Sequence, residues 1–106
     1  MTILCHIRYQ FDPFQREAFE TYASRWAAII PDCGGTCLGY FMPYEGSNDV
    51  AYGLNLFDDL AHYERYRQRL REDRAGAANY RLAEENRLIL REQRSFLKPA
   101  PGHQGA

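Results

Sequence analysis

Hydrophobic and polar positions alternate over residues 2–11, with Ile3, Cys5, Ile7, Tyr9 and Phe11 on one side and Leu4, His6, Arg8 and Gln10 on the other. A period of two is that of a half-buried β-strand. The period then changes. Asp12 offers a helix cap, Pro13 suits a first helical position, and Gln15 stands where a capping box wants Glu or Gln. Phe14, Ala18, Phe19, Tyr22, Ala23, Trp26 and Ile30 recur at helical spacing as a wide apolar stripe, while Gln15, Arg16, Glu17, Glu20, Ser24 and Arg25 face water. Pro31 disfavours a helical Ile30, and Gly34-Gly35 completes the expected stop.

Two further strands are predicted over residues 36–42 and 49–57, joined by the loop Pro43 to Asn48. So short a link makes them an antiparallel hairpin. Asp58 or Asp59 caps a second helix reaching about residue 73, with Leu60, Tyr63, Tyr66 and Leu70 inward and arginines around the rest. Gly76 is expected to interrupt it, and Ala77 to Asn86 favours a short third helix. The run "RLILREQRSFL" is read as a last strand, since a three-stranded sheet would leave it without a place. The ending KPAPGHQGA is rich in Pro and Gly. Residues 2–98 are therefore expected to form one domain and 99–106 a disordered tail.

The order β-α-β-β-α-β, with an extra helical turn, is the split pattern of ferredoxin-like α+β folds. Both helices should cover one face of a four-stranded antiparallel sheet. The other face then poses a problem. Either Phe41, or else Leu38, Tyr40 and Met42, must lie there. In the third strand the choice is between Val50, Tyr52, Leu54 and Leu56 on the one hand and Ala51, Gly53, Asn55 and Phe57 on the other. Burying each large side chain contributes about 1.5–3 kcal/mol, and a bare apolar sheet face forfeits that several times over. The simplest cover is the same face of a second copy, so a homodimer joined sheet to sheet is expected.

Composition narrows the function classes. With 106 residues there is room for one core only, and 45% hydrophobic residues suffice for a globular fold. A formal charge of −1 argues against nucleic acid or an anionic membrane as partner. No apolar run approaches a membrane span, and the N-terminus lacks a signal-peptide block, so a soluble cytoplasmic protein is expected. Cys5, Cys33 and Cys37 are too few and odd in number for a disulfide framework. Their spacing with His6 suits zinc poorly, and free buried thiols are the expectation. Eight tyrosines suit interfaces and pocket walls as well as ordinary core filling.

The stretches "CHIRYQFDPFQREAFETYASRW", "IIPDCGGTCLGYFMPYEGSNDVAYGL" and "FLKP" resemble the NIPSNAP family over nearly all of residues 3–99. The likeness rests on Asp12-Pro13-Phe14, Ile30-Pro31 with Gly34-Gly35, the loop Glu45 to Asp49, and Leu90-Arg91-Glu92. It implies a dimeric α/β barrel, two ferredoxin-like sheets closing around a central space. The mitochondrial and vesicle-traffic roles of eukaryotic members are not carried over to this single domain. The wider group of such barrels includes cofactor-free monooxygenases, isomerases and haem-handling proteins, so the fold leaves function open.

Candidate chemistry starts from His6 and Arg8, which share one strand face. With Ile3, Cys5 and Ile7 beneath the helices, both would face the barrel interior. A neighbouring cation keeps an imidazole neutral and basic, so His6 could take a proton while Arg8 steadies the anion. The alternative is a structural pairing with Glu92 or Glu45 across the dimer. Asn55 is the polar residue in an otherwise apolar strand, either bonded to a neighbour or orienting a ligand. Gly53 and Ala51 beside it leave volume for a pocket floor or for packing. Tyr40 and Tyr52 are candidate pocket walls, and Glu45 and Asn48 could reach the partner's barrel mouth or simply form the hairpin turn. Arg91, Glu92 and Arg94 read as a charge ladder on an edge strand. Arg65, Arg67, Arg69, Arg71 and Arg74 spread around their helix, which suits a solvated face better than nucleic acid.

The expectation is thus a small apolar or aromatic ligand in a dimeric barrel. Cofactor-independent proton abstraction or oxygenation would run on His6, Arg8 and Asn55, with neither cofactor nor metal called for. The rival is a non-catalytic module that engages a protein partner.

Overall fold

The computed structural model describes residues 2–103, and its first element is strand β1 (Ile3–Phe11). Odd-numbered residues of β1 are buried and even-numbered ones half-buried, as the alternation requires. A 3₁₀ turn (Pro13–Gln15) leads into helix α1 (Arg16–Asp32). Asp12 Oδ1 accepts the Phe14 N–H at 3.0 Å, and Gln15 Nε2 donates to the Asn86 carbonyl at 2.9 Å. The tighter 3₁₀ turn takes Phe14 off the apolar stripe of α1. It is 96% exposed, where helical spacing had put it inside.

Helix α1 also runs past Pro31, which the sequence marks as a stop. Pro31 sits exposed in the last turn, and the end comes two residues later, at Cys33. There Gly35 N–H bonds the Ile30 carbonyl and Gly34 N–H the Pro31 carbonyl, with Gly34 at φ 103°. That is a Schellman motif with glycine at its left-handed position.

Strands β2 (Thr36–Phe41) and β3 (Val50–Phe57) form the hairpin. Helices α2 (Leu60–Glu72) and α3 (Arg74–Glu85) follow, and then strand β4 (Ile89–Leu97). The break between the two helices lies at Asp73 and not at Gly76. Asp73 N–H closes α2 on the Leu70 carbonyl, and its carboxylate accepts the Gly76 N–H at 2.9 Å to cap α3. Gly76 lies inside α3, where it lets the two helices approach: a Cβ there would stand 2.8 Å from Leu70 Cδ1.

The sheet is antiparallel with order β2-β3-β1-β4, so β2 and β4 are its edges. The core lies between the sheet and α1, α2 and α3, with Ile3, Cys5, Ile7, Tyr9 and Phe11 of β1 at its base. Strand β2 resolves the choice between its two apolar sets by splitting them. Cys37 pairs with Asn55 and Gly39 with Leu54, so Leu38 is an extra residue in a bulge. Tyr40 and Met42 consequently pack on the helix-covered core, while Leu38 and Phe41 are exposed on the other side.

Ala100 to His103 form a turn closed by His103 N–H on the Ala100 carbonyl, and residues 104–106 of the expected tail lie outside the described residues. Among the described residues no helix is long and apolar enough to cross a membrane.

Candidate functional site

Six of the eight tyrosines and the only tryptophan line one cavity between sheet and helices. Helical spacing places Tyr22 and Trp26 one turn apart on α1, Tyr63 and Tyr66 on α2, and Tyr80 on α3. The sheet supplies Tyr9, Tyr40 and Asn55 from below. The Tyr40 ring packs over Gly53, where a Cβ would meet it at 2.8 Å. Its hydroxyl is 3.3 Å from that of Tyr9. Rings meet edge-on around the wall, Tyr22 to Trp26 at 5.6 Å and Trp26 to Tyr80 at 5.1 Å between centroids. The remaining space is about 20 Å³, room for one water molecule.

Among the described residues three buried polar atoms in this wall have no partner in hydrogen-bond geometry: Trp26 Nε1, Asn55 Oδ1 and Arg94 Nε. Of these, the Trp26 N–H lies near the Tyr22 hydroxyl and partly offsets the rise in the Tyr22 pKa. Arg94 projects from β4, beside Ile7 in register, into the side covered by helices. Its other nitrogens are engaged, with the Tyr63 hydroxyl at 2.7 Å and Glu92 at 3.0 Å. Burial works against the Arg94 cation, but Tyr63 and Glu92 outweigh it and raise its pKa. Burial also pushes the phenols up, Tyr22 to about 12 and Tyr9 and Tyr40 well above the ordinary tyrosine range. The chamber is therefore lined by the protonated hydroxyls of Tyr9, Tyr22 and Tyr40 and by two cations, Arg94 within it and Arg67 at its rim. Glu92 is bound to the first of these, Arg94.

Tyr22, Arg67 and Tyr80 belong both to this wall and to an open groove of about 780 Å³ between the helices and β4. Arg67 lies over the Tyr63 ring, 5.9 Å from its centroid, and Tyr80 is 38% exposed. The two side chains form the partition between chamber and groove.

The residues singled out in the sequence divide between two places. Tyr40 and Asn55 are in the chamber. His6, Arg8 and Tyr52 lie on the opposite face of the sheet, half-buried or exposed, with His6 and Tyr52 rings 5.3 Å apart. A hollow of about 560 Å³ there brings together Arg8, Glu45 and Tyr52, and Asn48 stays exposed in the loop. His6, Arg8 and Asn55 therefore form no common constellation within one protomer, because strand alternation sends them to opposite faces. The thiols of Cys5, Cys33 and Cys37 are free, and no cluster of three potential metal ligands exists among the described residues.

Sequence reasoning passed over Trp26, Arg67, Arg94 and the remaining chamber tyrosines, taking them for core stripe, solvated face or charge ladder. The available signal was the chemistry of the stripe. Tyr and Trp at inward positions bring donors and acceptors that a Leu or Phe would not, and each needs a partner.

The NIPSNAP family model matches residues 6–102. A NIPSNAP-like domain protein of Burkholderia xenovorans is 24% identical, with a TM-score of 0.80 over 95% of this chain and 87% of its own. A NIPSNAP family protein of Agrobacterium tumefaciens is 19% identical, with a TM-score of 0.81 over 95% and 88%. A Chloroflexus aurantiacus protein described as a candidate antibiotic biosynthesis monooxygenase is 16% identical, with a TM-score of 0.65 over 97% of each chain. No curated protein matches the sequence.

Proposed function

The chain belongs to the NIPSNAP family, and from that premise we propose that it binds a small planar phenol or enol in the tyrosine-lined chamber. One observation carries this reading: Trp26 Nε1, Asn55 Oδ1 and Arg94 Nε stand unpartnered around one cavity. Each unpartnered buried polar group costs about 1–3 kcal/mol. Two are donors and one is an acceptor, and a hydroxyl has the complementary set of one proton and two lone pairs. The chamber as it stands has room for a single water. The hydroxyl of a phenol takes this water-sized space, while its ring, too large for the chamber, takes the place of the Tyr80 and Arg67 side chains, which swing out into the open groove.

Trp26 provides the test, being the only tryptophan. Titration with 2-naphthol should quench its fluorescence saturably. Asn55→Leu should weaken that binding by about tenfold and leave naphthalene unaffected. Quenching that does not saturate, or that Asn55→Leu leaves unchanged, overturns the assignment.

A second reading is cofactor-independent oxygenation of the bound phenol. The two N–H donors would steady a phenolate in a dry site, and the fold is similar to that of a candidate monooxygenase. In that reaction dioxygen places one atom on the ring and the other leaves as water, the phenol supplying the electrons as it becomes a quinone. An oxygen electrode decides it, for the reading requires uptake with phenols that bind.

The open sheet face supports a homodimer. Leu38, Phe41, Tyr52 and Leu97 are exposed there, next to Leu4, Leu54 and Leu56. A second copy placed on this face encloses His6, Arg8 and Glu45, and the proton-transfer role read for His6 and Arg8 belongs to that space, apart from the chamber. Three free thiols suit a cytoplasmic location.

A further inference from the structure

The groove outside the chamber is charged in a way the chamber does not explain. Its floor is Tyr80, Ile89 and Leu90, and its cations are Arg67, Arg71 and Arg87. Among the described residues none of the three arginines makes an ion pair. Of the two carboxylates beside them, Glu92 is bound to Arg94, which leaves Glu84 alone against three guanidinium groups.

Arg87 is placed there against its backbone preference. Leu88 N–H bonds the Ala83 carbonyl and Arg87 N–H the Glu84 carbonyl, so α3 ends in the same Schellman motif as α1. At the left-handed position α1 has Gly34, with φ 103°, whereas α3 has Arg87, with φ 50°. Arg87 is the one non-glycine residue with positive φ among the described residues. An arginine there carries a steric cost that glycine would not. Strain of this kind points from the outlier to a use for its side chain.

We propose that this groove holds a carboxylate attached to the chamber's ligand, so that the ligand class is a hydroxyaryl alkanoic acid. The proposal rests on the chamber reading and extends it. The phenol end meets Trp26, Asn55 and Arg94. The alkyl linker passes Tyr80 and lies on Leu90, and the carboxylate sits between Arg71 and Arg87, with Arg67 at the partition. Guanidinium groups suit a carboxylate because their paired N–H groups match its two oxygens.

The probes are 4-(6-hydroxynaphthalen-2-yl)butanoate, its primary amide, and 2-naphthol, each titrated against Trp26 fluorescence. The acid should bind about tenfold tighter than the amide in low salt, and the gap should close in concentrated salt. Arg87→Gly relieves the backbone, so it should keep or raise the melting temperature. It should also remove most of the preference for the acid while 2-naphthol binds as before. Arg71→Gln and Arg87→Gln should do the same to the preference without altering the backbone requirement. Equal affinity for acid and amide in low salt, with 2-naphthol still bound, overturns the anion subsite alone. A preference that survives in both Arg71→Gln and Arg87→Gln also overturns it. Failure of all three probes to bind the unaltered protein removes the chamber reading and this inference together.

Discussion

Tyr9 carries a hydroxyl into the middle of the sheet, where phenylalanine would have packed the same ring. It is 2% exposed, and its oxygen faces that of Tyr40. Burial holds the proton on Tyr9, Tyr22, Tyr40 and Tyr66, raising each phenol pKa, that of Tyr22 to about 12. An unfolded phenol ionises at about pH 10. Below that pH both states are protonated and these groups leave stability unchanged. Above it the unfolded chain releases protons that the fold retains, so stability falls as pH rises. Tyr22 alone accounts for a loss on the order of 2 kcal/mol by pH 12. Tyrosinate absorbance from these residues should therefore appear together with the loss of helical circular dichroism, and Tyr22→Phe should move that transition to higher pH. Ionisation of the buried phenols in a chain that keeps its helices would contradict this. The inward spacing of Tyr22, Tyr63 and Tyr66 is visible in the sequence, but that they encircle one space with Asn55 and Arg94 is not. Those last two come from strands separated by the whole of α2 and α3, and only sheet register brings them beneath the same rings.

At the scale of elements, local pattern anticipated the three α-helices and the first three strands, the fourth strand followed from the sheet's need of a partner for that apolar run, and the misplacements were at ends and breaks. Phe14, Pro31 and Gly76 were each read by the ordinary preference of the residue, and each was overridden by hydrogen bonds from residues nearby. The 3₁₀ turn took Phe14 outward, the Schellman motif set the end of α1, and the Asp73 cap set the start of α3. The bulge in β2 had no advance signal beyond Gly39, because two equally apolar sets competed for the core. The contact of β2 with β3 depends on Gly53 as well. Gly53→Ala would place a Cβ 2.8 Å from the Tyr40 ring. Tyr40 must then leave Tyr9, so the variant should lose about 1–3 kcal/mol in urea denaturation and bind 2-naphthol more weakly. A variant as stable as the unaltered protein would show that Tyr40 is not held against the strand.

For the whole molecule, the apolar band on the open sheet face argues for a second copy, as the sequence had suggested from the same residues. Leu54 and Leu56 are half-buried on β3, in the centre of that band. The protein should sediment as a dimer that withstands dilution, and Leu54→Asp with Leu56→Asp should sediment as a folded monomer that still binds 2-naphthol. A monomeric unaltered protein would remove the proposed enclosure of His6 and Arg8 while leaving the chamber in place. By itself the sequence determined the ferredoxin-like order of elements and which side of β1 is buried, because periodicity and caps act over a few residues. Which residues share a site was decided only by the tertiary structure. His6 and Arg8 looked like partners of Asn55 until the alternation of paired strands put a sheet between them. Arg94 and Trp26 became its neighbours because burial in one core brings together side chains that lie far apart along the chain.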